Sequence, residues 1–336
     1  MIIEKNLLSG TTDNTRSSLK VASLFAGVGG IDTGFELSGK YDVIYANEFD
    51  TYAASTYEAN SAITVDKRSI CDVRPEDIPD VDVIVAGPPC QDLSQAGRQA
   101  GLKNPDGTFT RSGLIYEAIR IVRAKKPRVA LFENVKNLRA HDHGRTMAAV
   151  LDELRSAGYP YVKSAVLNAS SHGNIPQNRE RIFIAAFRDK TDFARFDFPE
   201  ATPLRTSISD IVDTHVKVHE KYYRMNGRII EAATIAMDDP TTVYQWRRNY
   251  IRKNMSHVCP TLTANMGEGG NNVPLVLTDH GIRKLTPAEC FAFQGFPDDF
   301  KFPANMSNTN LYKQAGNSVC VPVVRRIAEK ISEALQ

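Results

Sequence analysis

Between Lys20 and Lys190 the chain alternates short β-branched or apolar runs with stretches of helical spacing, and this rhythm constrains the fold more than any other feature. Val21–Phe25, Val43–Asn47, Val81–Ala86, Arg128–Asn134, Tyr161–Leu167 and Arg181–Phe187 read as strands, with a weaker strand near Ile63 and Val65. Ile31–Leu37, Thr51–Asn60, Leu114–Lys125 and Arg145–Ala157 read as helices between them, and Leu114, Ile115, Ile119 and Val122 line one face of the third. Runs that are apolar throughout need cover on both faces, so the pattern predicts an α/β fold, a doubly wound and mostly parallel sheet. After about Asp189 the rhythm breaks into prolines and scattered polar residues. Residues 191–310 are therefore expected to form a smaller, irregular β-rich domain without sustained helix. VPVVRRIAEKISEAL, from Val321, restores helical spacing and is expected to pack back on the sheet, which assigns 1–190 and 311–336 to one domain. Residues 1–19 are polar and unpatterned, as in a loosely held arm.

A chain of 336 residues, 42% hydrophobic and 24% charged, buries a sizeable core. Its net charge of +2 means that a polyanionic partner must be met by a local basic patch. The five cysteines are odd in number and form no CxxC pair, so neither a disulfide framework nor structural zinc is expected. His141 and His143 flank Asp142 in HDHGR, which reads as a solvated turn rather than a metal site. No apolar run has the length of a membrane span and the first residues lack a signal-peptide core, so a cytosolic protein is expected.

Chemistry concentrates at predicted strand ends. Val83–Gly97 runs from a buried strand through Gly87, Pro88 and Pro89 to Cys90, which sits on a rigid elbow where open α/β sheets place their ligands. The alternatives for Cys90 are a reactive thiol and a buried structural one; Gln91, Asp92, Ser94 and Gln95 argue against a packed core there. Phe25–Gly30 (FAGVGG) makes a turn, but the third glycine of a dinucleotide fingerprint is replaced by Asp32. Glu48 closes the next strand, where an acid commonly takes ribose hydroxyls. Turn and acid without the phosphate fingerprint suggest a nucleoside-like cofactor lacking a diphosphate, such as S-adenosylmethionine; the alternative is a glycine turn and nothing more. Glu133 ends another strand, as a cap or as a working acid. In QNRER, alternation aims Gln177, Arg179 and Arg181 to one side, either as a surface patch or as a clamp for a planar polar substrate.

Six segments in order, FAGVGG, GPPCQ, ENV, QNRERIF, RKLTPAECFAFQGFPDDF and YKQAGNSV, resemble the motif series of the DNA cytosine-5 methyltransferases across Val21 to Val324. The resemblance implies a Rossmann-like S-adenosylmethionine-dependent methyltransferase sheet with a target-recognition domain, and methyl transfer to carbon 5 of a flipped-out cytosine in a short duplex DNA sequence. It makes Cys90 the nucleophile at carbon 6, Glu133 the partner of ring N3, and Arg179 and Arg181 the pair near the base's carbonyl and the nucleophile. It lines the donor pocket with Phe25, Gly27, Gly29, Gly30, Glu48, Ile70, Pro89, Leu114, Asn317 and Ser318. The family often has an acid near Ser69 that bonds the adenine amino group, so this contact is in question here, with Asp66 or Asp72 as substitutes.

Gln91 to Gly113 resembles the loop that closes over the flipped base, with Ser94 and Arg111 as phosphate or closure contacts. YQWRRNYIRK interleaves aromatics with Arg247, Arg248 and Arg252, as at a DNA surface, although a solvated basic face has the same composition. Thr261 with Leu262 resembles the family's marker in the recognition region. Thr263 is a further phosphate or backbone contact, and Asn265, Asn271, Gln91 and Gln177 are further DNA contacts. The expected enzyme needs no metal, releases S-adenosylhomocysteine, and works as a monomer on double-stranded DNA in a bacterial or phage cytoplasm, at the nucleoid. A cognate restriction endonuclease would be a separate chain. The rivals are a tRNA cytosine-5 methyltransferase of the same fold and a catalytically silent DNA-binding regulator.

Overall fold

The computed structural model describes residues 18–89, 111–267 and 272–336. The first part of the chain forms β1 (Leu19–Leu24), α1 (Gly30–Leu37), β2 (Tyr41–Asn47), α2 (Thr51–Glu58), β3 (Val83–Ala86), α3 (Ile115–Lys125), β4 (Val129–Val135), α4 (Arg145–Ser156), β5 (Tyr161–Asn168), α5 (Ala169–Gly173), β6 (Gln177–Asn178) and β7 (Glu180–Phe187). Among the described residues six strands make the central sheet, in the order β2-β1-β3-β4-β7-β5. The pairs among β2, β1, β3 and β4 are parallel. β7 runs antiparallel to both β4 and β5. The expectation of a mostly parallel α/β sheet holds.

Successive side chains of a strand face opposite sides, and each side here has its own core. Val21, Val83, Val85, Val129 and Leu131 join Phe35 of α1 and a row from the last helix, including Val324, Ile327 and Ile331. Ala22, Leu24, Ile84, Ala86, Ala130 and Phe132 join Ile119 and Val122 of α3 and Val150 and Leu154 of α4. Full burial of each such Val, Leu, Ile or Phe stabilises the fold by about 1.5–3 kcal/mol. Gly34 lets α1 approach the last helix, because a Cβ there would lie 2.7 Å from Val324.

The rest of the chain adds α6 (Lys190–Arg195), α7 (Gly227–Ala236), β8 (Tyr244–Arg247), β9 (Tyr250–Lys253), β10 (Cys259–Pro260), β11 (Leu275–Thr278), β12 (Gly281–Lys284), α8 (Pro287–Ala292), α9 (Asn308–Asn317) and α10 (Val321–Ala334). A second sheet has the order β12-β11-β8-β9, and β10 pairs with β6 in parallel. Its aromatic core, with Phe291, Phe293 and Phe296, also takes in Val28 and Ala53 from the first part of the chain. No described helix is long and apolar enough to cross a membrane.

Two expectations need correction. The strand near Ile63 and Val65 is only a single bridge between Asn47 and Asp66. Asp66 exchanges backbone bonds with Ala46 and Glu48, and the Asn47 amide holds the Asp66 and Arg68 carbonyls as the chain turns away. The region expected to lack helix contains α7, whose side chains Ile229 and Ala233, with Met237 just beyond, pack on Tyr244 and Leu275. Their spacing of four was present in the sequence and was outweighed by the surrounding polar residues.

Candidate active site

The reversed direction of β7 is what assembles the site. Its first residues lie at the carboxyl edge of the parallel strands, so Arg181 pairs in register with Val135 and reaches diagonally to Glu133, which faces Phe183. Arg181 Nε lies 3.1 Å from Glu133 Oε1, with the two side chains 16% and 12% exposed. Burial raises the Glu133 carboxyl above its usual range, opposed first by the Arg181 charge and then by Arg179. Next to Glu133, the Asn134 amide donates to the Pro88 carbonyl at 3.3 Å. The backbone of Gly87 donates to Leu24 at the end of β1, and a Cβ on Gly87 would stand 3.9 Å from Glu133 Oε2. The strand that leads to Cys90 is thus anchored beside Glu133, with Pro89 half-buried at its end. Cys90, Gln91, Ser94 and Asn271 lie outside the described residues, as does the side chain of Arg111.

The turn after β1 is held by its backbone. Phe25 and Gly27 take left-handed conformations at φ 56° and 59°, and Gly29 does so at 86°. A non-glycine residue in that region is uncommon and tends to mark a functional turn. Ala26 N donates to Asn47, Gly29 N to Ala26, and Gly27 N to Glu48 Oε2 at 2.8 Å. The other Glu48 oxygen accepts from Asp50 N at 2.7 Å. Burial raises Glu48, and the backbone donors of Asp50 and Gly27 oppose the rise.

A Cβ added at Gly27 would meet open space, as expected for a residue at which a ligand approaches the backbone. Gly30 differs: its Cβ would lie 2.5 Å from Ser318 Oγ and 3.2 Å from Phe296, so this glycine serves packing rather than the pocket. Asp32, at the position of the absent third glycine, is buried against Ser23 and Tyr57 without a well-formed hydrogen bond, and desolvation pushes it up to about 7.

Ile70 is buried, Ser69 half-buried in a turn that also holds Asp72, and Leu114 half-buried just before α3. Asp66 is committed to Tyr45 and Arg68. Asn317, at the end of α9, is exposed, whereas Ser318 is buried.

The structure does not bring Gln177, Arg179 and Arg181 to one surface. Gln177 is fully buried; its amide donates to the Phe293 carbonyl at 2.5 Å and accepts from Leu262 N at 3.1 Å, so it cannot face DNA as expected. Arg179 is 2% exposed and donates to the carbonyls of Leu262 at 2.8 Å, Gly316 at 3.0 Å and Ser318. The expected placement of Arg179 at the base is replaced by this buried role, because the chain breaks pleat between β6 and β7 at this residue. Alternation alone carries no information on which distant carbonyls a side chain will meet. Gly316, packed on the Thr263–Ala264 backbone, and Gln294, whose amide donates to the Ala315 carbonyl, lie in the same buried cluster as Arg179, and no local sequence signal marks them.

On the second sheet, Arg247, Arg248 and Tyr250 are exposed on the β8–β9 hairpin, with Arg248 at φ 54° in its turn. Arg252 donates to Gln245 across the strands. Thr261 Oγ1 donates to the Asn178 carbonyl, while Thr263 and Asn265 are bonded to each other and exposed.

An open α/β sheet that carries a glycine turn, a strand-end acid and a buried acid–guanidinium pair on one edge has the layout of the nucleotide-binding α/β folds. The sequence profile of the C-5 cytosine-specific DNA methylases matches residues 19–333. The type II methyltransferase M.Bsp6I of Bacillus sp. (strain RFL6) is 49% identical over 320 residues, covering 94% of this chain and 99% of its own. M.NlaX of Neisseria lactamica is 36% identical, with 94% and 97% covered. The solved structure of the methyltransferase EhMeth of Entamoeba histolytica superposes with a TM-score of 0.73 at 18% identity, covering 96% of this chain and all of that one, which speaks for the fold. The chain belongs to the C-5 cytosine-specific DNA methylase family and is a DNA cytosine-5 methyltransferase of the kind found in bacterial restriction-modification systems. Membership implies S-adenosylmethionine as methyl donor, and the open space above Gly27 beside the strand-end carboxylate of Glu48 suits a nucleoside.

Proposed function

We propose that Cys90 is the nucleophile, that Glu133 and Arg181 hold the cytosine while it attacks, and that the chain methylates one short sequence in duplex DNA. The observation that carries this reading is the buried Glu133–Arg181 pair next to the anchored Pro88 carbonyl, two residues before Cys90. Carbon 5 of cytosine is a weak nucleophile, so the thiolate first bonds to carbon 6. The C5–C6 double bond opens, and its electron pair is drawn toward N3, where a proton shared with Glu133 stabilises the resulting enamine. The raised Glu133 suits this, because it keeps its proton to higher pH than an exposed acid. Arg181 orients that carboxyl and stands ready for the base's carbonyl oxygen.

The bound donor would supply an electrophilic methyl group and leave as the thioether S-adenosylhomocysteine; Phe25, Gly27, Glu48, Ile70 and Leu114 would hold it. Carbon 5, once methylated, loses its proton to a base, the double bond re-forms, and Cys90 departs as thiolate. The cytosine must leave the helix for this, at a cost of a few kcal/mol. Residues 1–190 with 311–336 would form the catalytic domain and 191–310 the recognition domain, with Arg247, Arg248, Thr261, Thr263 and Asn265 toward DNA. Any restriction endonuclease would act as a separate protein, and the methylase as a monomer.

Duplex DNA with 5-fluorocytosine at the target tests the mechanism, since fluorine cannot leave as the proton does and the adduct persists. The wild-type chain should form a denaturation-resistant adduct and Cys90→Ser none. A wild-type chain that methylates DNA without trapping, or a Cys90→Ser chain of unchanged activity, would show the mechanism to be wrong.

A further inference from the structure

Four segments distant in sequence meet in one buried knot one residue before the catalytic edge. They are Pro176–Arg179, Cys259–Ala264, Phe293–Gln294 and Gln314–Ser318. Cys259 N donates to the Pro176 carbonyl at 2.6 Å, starting the parallel pairing of β10 with β6. Gln177 joins Leu262 N to the Phe293 carbonyl, and the Arg179 guanidinium joins the carbonyls of Leu262, Gly316 and Ser318. Gly316 packs so closely on the Thr263–Ala264 backbone that no side chain fits there. The planar, rigid fork of an arginine suits a site where several acceptors must be held at fixed angles, and a lysine has no equivalent. Two residues beyond Arg179 stands Arg181 on Glu133; at the other end of the knot stand the exposed Thr263 and Asn265.

We propose that Gln177 and Arg179 are positioning residues that fix the recognition segment Thr261–Asn265 relative to the Arg181–Glu133 pair, and so determine how strictly base chemistry depends on the correct DNA sequence. The inference rests on the proposed roles of Arg181, Glu133 and the recognition segment. A segment seated on the right bases leaves the knot undistorted and Arg181 aligned. A segment displaced by a wrong base pulls on Leu262, which both clasp residues hold by its backbone. The link is short, continuous with the catalytic strand and buried from water, and its two side chains are each tied to several backbone groups, so it has little freedom to absorb a displacement.

The test uses the full-length chain, after bisulfite sequencing has identified its site. For wild type, Arg179→Lys and Gln177→Glu, kcat/KM is measured on the site and on a duplex with one base pair changed. The ratio of the two values cancels the folded fraction of each preparation, so a merely structural loss leaves it unchanged. The clasp predicts a fall of about tenfold, equal to 1.4 kcal/mol of discrimination. An unchanged ratio overturns the proposal. Because either variant can fail to fold, amide hydrogen exchange of the wild type supplies a second measurement. The intended site, and not the altered one, should raise protection at Leu262 and at residues 177–181 together. A gain confined to 261–265 overturns the clasp. Failure of the underlying reading is distinguishable, since a wild-type chain that forms no 5-fluorocytosine adduct would remove the catalytic pair and leave the exchange result standing.

Discussion

The turn at Phe25–Gly30 and the hairpin β8–β9 each face a ligand by proposal, yet they are built in opposite ways. The turn is defined by its backbone: three amides reach Asn47, Ala26 and Glu48, and Gly29 and Gly30 are tightly packed while Gly27 faces open space. The hairpin offers side chains, Arg247, Arg248 and Tyr250, on a frame of two four-residue strands. A site that must bind one unchanging cofactor can be fixed in backbone geometry, which few substitutions leave intact. A site that reads a DNA sequence is better carried by exposed side chains, which can change without disturbing the core.

Four substitutions break or sharpen that contrast. The largest effect is expected at the chemistry itself, where Glu133→Gln should lower kcat by about 10²-fold. The pH profile carries the sign: the folded Glu133 is raised, so its acid form dominates at low pH and its contribution to kcat is lost as pH climbs through that raised value. Glu133→Gln should therefore flatten this limb, and a limb that persists would assign it to another group. Next, Gly30→Ala should destabilise the fold by about 1–3 kcal/mol through overpacking on Ser318, read as a lower melting temperature. If instead the melting temperature held and only donor affinity fell, Gly30 would belong to the pocket after all.

Glu48→Gln sets an amide donor against either the Gly27 or the Asp50 N–H. Charged hydrogen bonds of this sort contribute about 1.5–3 kcal/mol, so calorimetry should show donor binding weakened roughly tenfold or more, with DNA affinity unchanged. The smallest effect belongs to the hairpin. Arg248→Ala should weaken DNA binding modestly and reduce the salt slope by about one, with donor affinity untouched. A loss of donor binding in that variant would erase the distinction between the two regions.

The same contrast explains what could be read in the sequence. Continuously apolar runs reported the sheet because successive residues of β1, β3 and β4 go alternately to two cores, so both faces must be apolar. Strand-end residues such as Glu48 and Glu133 were legible because a strand's end is a place as well as a residue. Arg179 and Gln177 were not, since their partners are backbone carbonyls and a backbone N–H 83 to 139 residues away, and a backbone group has no letter in a sequence. Gly27 and Gly30 look identical in FAGVGG and differ only in what stands above them, open space in one case and Ser318 in the other.

The pairing of α1 with α10 also bears on the order of events during synthesis. Tyr41 OH donates to the Ala328 carbonyl, closing 287 residues of chain, and one face of the sheet takes its cover from Val323, Val324, Ile327 and Ile331. Until the ribosome has released those residues, β1, β3 and β4 present an apolar face to water, a state that invites chaperones or aggregation. The Phe25–Gly30 turn rests on the residues just before α10, through Ser318 and Val319 against Gly30. A chain in which α10 has not yet emerged therefore lacks both the cover of one sheet face and the packing beneath Gly30.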